Sequence, residues 1–230
     1  MNEVMEILAK QGILEHIDML EVLRQGRADV VQADDFGVLL KVSREGAWLL
    51  SVFEETATER FVAQIVHDDS PVCSHQRFSV PFLEAARFHP DIVCCQAAYL
   101  KKDLFPLEPD QQFKPLTLAE EPLVQEHYQR ESPAYIHERI VSGVLEGIYC
   151  EGVLAGFMGL HEEGSLGMLV IFPEFRRRGL ALALERHYCN RLLGQGKIPY
   201  CHIIKGNTAS LALHEKLGFT LAQSEITWFF

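Results

Sequence analysis

Leu169-Val170-Ile171-Phe172-Pro173-Glu174-Phe175-Arg176-Arg177-Arg178-Gly179-Leu180-Ala181-Leu182-Ala183-Leu184 runs from an apolar strand, through a basic loop, into an alanine- and leucine-rich helix. Pro173 ends the strand, because it has no N–H to give to a ladder. The first N–H groups of a helix have no acceptor inside it. The helix dipole draws negative charge to the same point. Gly179 and Ala181 keep side-chain bulk away from that start, and Arg176, Arg177 and Arg178 add positive potential. This chemistry suits a bound phosphate or pyrophosphate; the competing reading is a solvated basic loop that binds nothing. Neither GxxxxGK[ST] nor GxGxxG after a first strand occurs, so the P-loop and dinucleotide-fold patterns are missing.

Outward from this stretch the second half reads as alternating elements. Leu116–Leu118 is expected as a short strand, and Leu123–Gln129 and Ala134–Ser142 as helices. Glu146–Cys150, Val153–His161 and Ser165–Phe172 are expected as three antiparallel strands, with turns at Glu151-Gly152 and Glu162-Glu163-Gly164. The helix Leu180–Leu193 stops at Gly194-Gln195-Gly196. A strand Pro199–Ile204, a helix Thr208–Leu217 and a last strand Ile226–Phe230 complete it. In the first half, Val4, Ile7, Leu8, Ile13, Ile17, Leu20 and Leu23 have helical spacing, with Gly12 as a break. Strands Gly37–Val42 and Ala47–Phe53 form a hairpin across Ser43-Arg44-Glu45-Gly46. A helix Thr58–Val66, a strand Pro71–His75, a helix Val80–Arg87 and a strand Ile92–Tyr99 follow. The polar segment from Lys101 to Pro115 contains three prolines and reads as a linker. The expected division is an α/β domain over residues 1–112 and a second over 113–230.

The 230 residues are enough for a core that needs no staple. Acids number 32 against 21 Lys plus Arg, a formal charge of -11. That sign argues against a nucleic-acid backbone or an anionic membrane as partner. No apolar run approaches a membrane span, and Met1-Asn2-Glu3-Val4 lacks the marks of a secretory signal, so the expected location is the cytoplasm. Cys73, Cys94, Cys95, Cys150, Cys189 and Cys201 match neither zinc-knuckle nor CxxC spacing and read as free thiols. His67, Asp68, Asp69 and His75 form no compact ligand set and read as surface-loop residues, so no metal is expected.

The stretch Ile171 to Ala181 resembles motif A of the GNAT (GCN5-related N-acetyltransferase) superfamily, V-x-P-x-x-(R/Q)-x-x-G-x-(G/A), with Ile171 in place of Val. Gly206-Asn207-Thr208-Ala209-Ser210-Leu211-Ala212-Leu213-His214-Glu215-Lys216-Leu217-Gly218-Phe219 resembles motif B, N-x-x-A/S…Y-x-K-x-G-F. Gly196-Lys197-Ile198-Pro199-Tyr200 is similar to the FR47-like and glycine N-acyltransferase branch. The resemblance covers residues 116–230. It implies a mixed, mostly antiparallel sheet in which Ser165–Phe172 and Pro199–Ile204 splay apart around acetyl-CoA or another acyl-CoA. It further implies that residues 1–112 are a degenerate second copy of the fold.

By the same resemblance, backbone N–H groups from Arg177 through Leu182, with Arg176 beside them, hold the pyrophosphate. Leu169 and Ile171 run along pantetheine, the Leu169 N–H faces the thioester carbonyl, and Asn207 and Ser210 meet the cofactor arm. The implied reaction is direct transfer of the acyl group to a primary amine of a small molecule or amino acid, with a protein amine as the lesser option. Monomer and homodimer both fit. A backbone N–H aimed at the carbonyl oxygen stabilises the developing charge, and a base must first free the amine lone pair. The family's glutamate base, six residues before Ile171, is replaced by Ser165, leaving Glu162, Glu163 and His161 nearby. The family's tyrosine acid is replaced by His214, which reads either as the proton donor or as a packed helix residue. Cys201 and His202 alternate on the strand lining the expected cleft, where one faces substrate or both pack in the core; Glu146 and Tyr149 are acceptor-pocket candidates, and His187 and Cys189 read as packing or surface residues. Two other readings are a non-catalytic acyl-CoA sensor and a phosphate- or nucleotide-binding enzyme of another class.

Overall fold

The computed structural model describes residues 2–43, 46–68, 70–109 and 111–230. Arg44 and Glu45 of the expected hairpin turn, and Asp69, lie outside the described residues. In chain order the first elements are α1 (Asn2–Gln11), α2 (Ile17–Arg24), β1 (Ala28–Asp34), β2 (Gly37–Val42), β3 (Trp48–Val52), α3 (Thr58–Val62), β4 (Val72–Ser74), α4 (Val80–Ala85) and β5 (Pro90–Ala98). Next come β6 (Gln112–Pro115), α5 (Glu121–His127), α6 (Pro133–Val141), β7 (Leu145–Cys150), β8 (Val153–Leu160), β9 (Leu166–Ile171) and α7 (Leu180–Gly194). The chain finishes with β10 (Tyr200–Ile204), α8 (Thr208–Leu217) and β11 (Thr220–Phe229). Two helices, three strands, a helix, a strand, a helix and a strand thus occur twice, once from α1 to β5 and once from α5 to β11.

The chain divides into two compact units. The first contains residues 1–99, 162–164 and 200–230; the second contains 100–161 and 165–199. A single boundary after residue 112, expected from the linker composition, does not describe this division. The reason is strand pairing: β5 lies antiparallel between β10 and β11, and β11 also pairs with β4. The end of the chain is thereby built into the sheet that the first hundred residues begin.

In the first unit the strand order is β1-β2-β3-β4-β11-β5-β10, and β3 with β4 is the parallel pair. The sheet is covered on both faces, which makes every residue of β2 and β3 buried. Side chains alternate across a strand. Val38, Leu40, Val42 and Leu49 join Leu8, Met19 and Val22 of α1 and α2 in one core. Leu39, Trp48, Leu50 and Val52 join Phe61 and Leu83 of α3 and α4 in the other.

The second unit carries the antiparallel order β9-β8-β7-β6. Its core joins Phe157, Met168 and Phe172 to Val124, Ile136 and Ile140 of α5 and α6. The glycines inside β8 answer to close approach. A Cβ on Gly156 would stand 2.4 Å from the Val170 carbonyl oxygen. Several expected boundaries shift. Gln112–Pro115 is a strand paired with β7 rather than linker, and Leu116–Leu118 lies beyond it. Ala28–Asp34 is an unexpected outer strand, and the last strand starts six residues early, at Thr220.

Candidate functional site

In the second unit, β9 ends at Ile171 and a short helical turn, Pro173–Phe175, leads into the basic loop. The Arg176 Nε–H donates to the Ile171 carbonyl at 3.0 Å, tying the loop back to the strand. The Arg178 guanidinium lies 5.7 Å from the centre of the Phe175 ring. Arg176, Arg177, Arg178 and Gly179 are all exposed. Arg177 at φ 61° and Gly179 at φ 77° are both left-handed, and together they swing the chain into α7. Gly179 is the residue before the helix, and no side chain caps it. The first hydrogen bond into the helix runs from Ala183 N–H to the Gly179 carbonyl, at 3.1 Å. The N–H groups of Leu180, Ala181 and Leu182 precede it, at the positive end of the dipole. Nothing lies within 4 Å of where a Gly179 Cβ would project. The loop thus sets exposed arginines beside uncapped main-chain donors.

The strand feeding this cradle carries a bulge. Phe157 faces Val170 and Gly159 faces Gly167, so Met158 of β8 is opposed by both Met168 and Leu169. Met168 is left-handed, at φ 53°. For a buried residue without a short polar side chain this is a strained conformation, and such strain concentrates at functional sites. It re-aims the backbone at Leu169. The sequence holds no glycine or asparagine at 168 that would have signalled it.

Above the same strand, the His161 ring lies against the backbone of Gly167; a Cβ there would stand 2.4 Å from His161 Nε2. His161 Nδ1 is 3.3 Å from the Tyr135 hydroxyl and 3.9 Å from Glu131 Oε1. Sequence reading named His161 but not Tyr135 or Glu131, which α6 and the turn before it bring up from a distance. Ser165 is buried, and its carbonyl accepts from the His161 N–H at 2.9 Å. Glu146 is engaged beneath α7, with His187 Nε2 at 2.5 Å and the Arg191 guanidinium on its other oxygen. Burial alone would raise its pKa, but the hydrogen bond from His187 and the charge of Arg191 outweigh that and lower it. Glu146 therefore anchors a helix rather than lining an acceptor pocket, and His187 is its partner. Tyr149 sits under the Lys114 ammonium, 4.9 Å from ring centre.

In the first unit, Asn207 caps α8, its side-chain oxygen accepting from the Ser210 N–H at 3.1 Å. His214 is buried; its Nδ1–H donates to the Ser210 carbonyl at 2.8 Å, and its ring packs edge-on against Phe219. The Ser210 hydroxyl is 3.3 Å from the same nitrogen. Glu163 is buried too. Its carbonyl accepts from the Tyr200 hydroxyl at 2.7 Å, and its carboxylate lies 3.9 Å from His202 Nδ1. Cys201 and His202 alternate on β10, with His202 in contact with Trp228. The six cysteines are free thiols.

A family model described as FR47-like protein matches residues 143–229, which hold the bulged strand, the basic loop, α7 and the α8 motif. Over these residues the chain is similar to that family. Solved structures share the fold across the chain. A protein from Drosophila aligns over 100% of this chain and 95% of its own, with a TM-score of 0.66 and 12% identity. A GCN5-related N-acetyltransferase from Kribbella flavida aligns over 95% of both chains, with a TM-score of 0.59 and 12% identity. A GCN5-related N-acetyltransferase-like protein from Streptococcus suis aligns over 98% of this chain and 99% of its own, with a TM-score of 0.57 and 15% identity. At such identities the likeness is one of fold. No curated protein matches the sequence. The mixed, mostly antiparallel sheet is that of the solved GCN5-related N-acetyltransferase structures. Among the described residues no helix is long and apolar enough to cross a membrane.

Proposed function

We propose that this chain is an acyl-CoA-dependent N-acyltransferase that moves an acetyl or other acyl group directly to a primary amine of a small molecule or amino acid. The observation that carries the reading is the uncapped start of α7, behind a left-handed Gly179 and an exposed triple-arginine loop, inside the FR47-like segment. The site fits the diphosphate of an acyl-CoA: the donors are main-chain N–H groups of Arg177 through Leu182, and open space lies over Gly179. Leu169 and Ile171 guide pantetheine, with Asn207 and Ser210 toward the cofactor arm.

The chemistry then follows from the chain's own groups. The Leu169 N–H, aimed by the Met168 bulge, donates to the thioester oxygen as negative charge gathers there. Glu163 or His161, or Ser165 through water, takes a proton from the amine. By the resemblance to motif B, His214 stands where the family has its tyrosine acid; with Nδ1–H held by the Ser210 carbonyl, it can give a proton to the departing thiolate from Nε2 only as the imidazolium. No covalent enzyme intermediate is needed, since the amine itself is the nucleophile.

Residues 1–112 fit a degenerate copy of the fold that has lost its cradle. The step from β3 to α3 reads Phe53-Glu54-Glu55-Thr56, acidic and without glycine where the second copy is basic. Beyond the β3–β4 pairing, the Gln76 side-chain oxygen accepts from the Val52 N–H at 2.7 Å and its amide donates to the Ser51 hydroxyl, closing the gap. The expected stoichiometry is one acyl-CoA per chain.

The test is an amine panel incubated with acetyl-CoA and longer acyl-CoAs, reading thiol release together with amide formation by mass spectrometry. Coupled thiol and amide support the enzyme. Tight acyl-CoA binding with no amide across the panel would instead establish a sensor, the reading favoured by the burial of His214 where the family carries tyrosine.

A further inference from the structure

In the first unit, a set of buried side chains has no part in acyl transfer. We propose that Asp18, Cys73 and His75 form a site for one zinc-class divalent ion that pins α2 to β4. One ligating atom from each lies within 4.8 Å of the others, and all three residues are buried. Cys73 and His75 are two apart on extended chain and so share a face, the face on which Met19 and Val22 of α2 pack against Cys73. His75, read from the sequence as a loop residue, is 3% exposed.

The orientation of His75 is the second observation. Its Nδ1 stands 3.0 Å from the Leu50 carbonyl, which can only accept, so Nδ1 carries the hydrogen. That leaves Nε2 facing both Asp18 oxygens, at 2.9 and 3.1 Å. A ring fixed through Nδ1–H to a backbone carbonyl, with Nε2 turned to a carboxylate and a thiol, is the arrangement of a ligating histidine with its supporting contact. Asp18 is held as well: its Oδ1 accepts from the Met19 N–H at 2.7 Å. His202 stands outside the ligand set. Its Nδ1 accepts from Trp228, so its neutral form carries the hydrogen on Nε2, 3.7 Å from Asp18 Oδ2. His16 stacks on the His75 ring, centroids 5.4 Å apart.

One nitrogen, one thiol and a carboxylate suit zinc, cobalt or cadmium, and not magnesium or calcium, which take oxygen ligands. Around zinc, neighbouring ligand atoms stand roughly 3.3–3.8 Å apart, so Asp18 and His75 need open by only a few tenths of an ångström. Charge balances. Without metal, the proton on His75 Nε2 pairs with the Asp18 carboxylate beside a neutral thiol. With metal, the Nε2 proton and the Cys73 Sγ proton both leave, and the dication meets one carboxylate and one thiolate. Each ion bound therefore releases about two protons at neutral pH.

The test uses the full chain, purified without a metal-affinity tag or chelator and analysed for bound metal. A chelator-treated sample is then titrated with Co2+. The expected results are about one equivalent of zinc as purified, a thiolate-to-cobalt charge-transfer band saturating near one equivalent, and the matching proton release. Cys73→Ser should lose the band while Cys150→Ser keeps it. A folded Cys73→Ser that retains the band overturns the assignment. If Cys73→Ser does not fold, the wild-type chain decides alone: neither bound metal nor a charge-transfer band would leave Asp18 and His75 as an ion pair only.

Discussion

Replacing Gly179 by Asp should weaken acyl-CoA binding about fivefold more than replacing it by Asn. Gly179 sits at φ 77°, and a Cβ there meets no atom within 4 Å. Neither side chain clashes, and both bear the same left-handed cost, about 1 kcal/mol. Asp and Asn have nearly the same shape, so the pair isolates one negative charge. A diphosphate held at the start of α7 carries about two. At about 6 Å and an effective dielectric constant of about 60, each contributes about 0.9 kcal/mol of repulsion. A Debye length of about 8 Å roughly halves this, leaving about 1 kcal/mol in all. Calorimetric titration of CoA into both variants should show the ratio at physiological ionic strength and a smaller one at about 0.5 M salt. Thermal melts of the two should nearly coincide, since no packing is touched. Equal affinities in two folded variants would refute the reasoning, because a diphosphate at this helix start cannot be indifferent to a carboxylate beside it.

Arg177→Gly should be more stable than Arg177→Ala by about 1 kcal/mol, because the residue is left-handed at φ 61°; urea unfolding of the two checks it. Glu146→Gln should cost about 1–2 kcal/mol, since it weakens the bonds to His187 and Arg191 under α7. The folded pKa of Glu146 is lowered, so its contribution is present above the unfolded value of about 4.3 and is lost as pH falls through the folded one. Wild type and Gln variant should therefore converge in stability on acidification. His214→Phe should lower turnover about tenfold or more while leaving the CoA dissociation constant within about twofold; unchanged turnover would remove the proton-donor role.

The turn from β9 into α7 was legible because its signals are local. A proline, a glycine and a row of arginines each act within a few residues of where they stand. Elements set by distant contacts were not legible. Ala28–Asp34 mixes charge with Val30 and Val31, which stay exposed, so no alternation marks the outer strand. Gln112–Pro115 is a strand because β7 pairs with it, despite its linker-like composition. His75 lies between a polar loop and a helix in sequence, yet its partner Asp18 comes from 57 positions away. Met168 gives no hint of its conformation, which follows from the unequal residue count between β8 and β9.

The seat of β11 between β4 and β5 has a consequence for synthesis. When β4 and β5 leave the ribosome, the strand that joins them has not been made. Each offers an unsatisfied edge to any other extended chain it meets. The sheet can knit shut only after β11 emerges, and such distant pairings form slowly. The nascent polypeptide is thus most exposed to aggregation in the interval before β11 arrives.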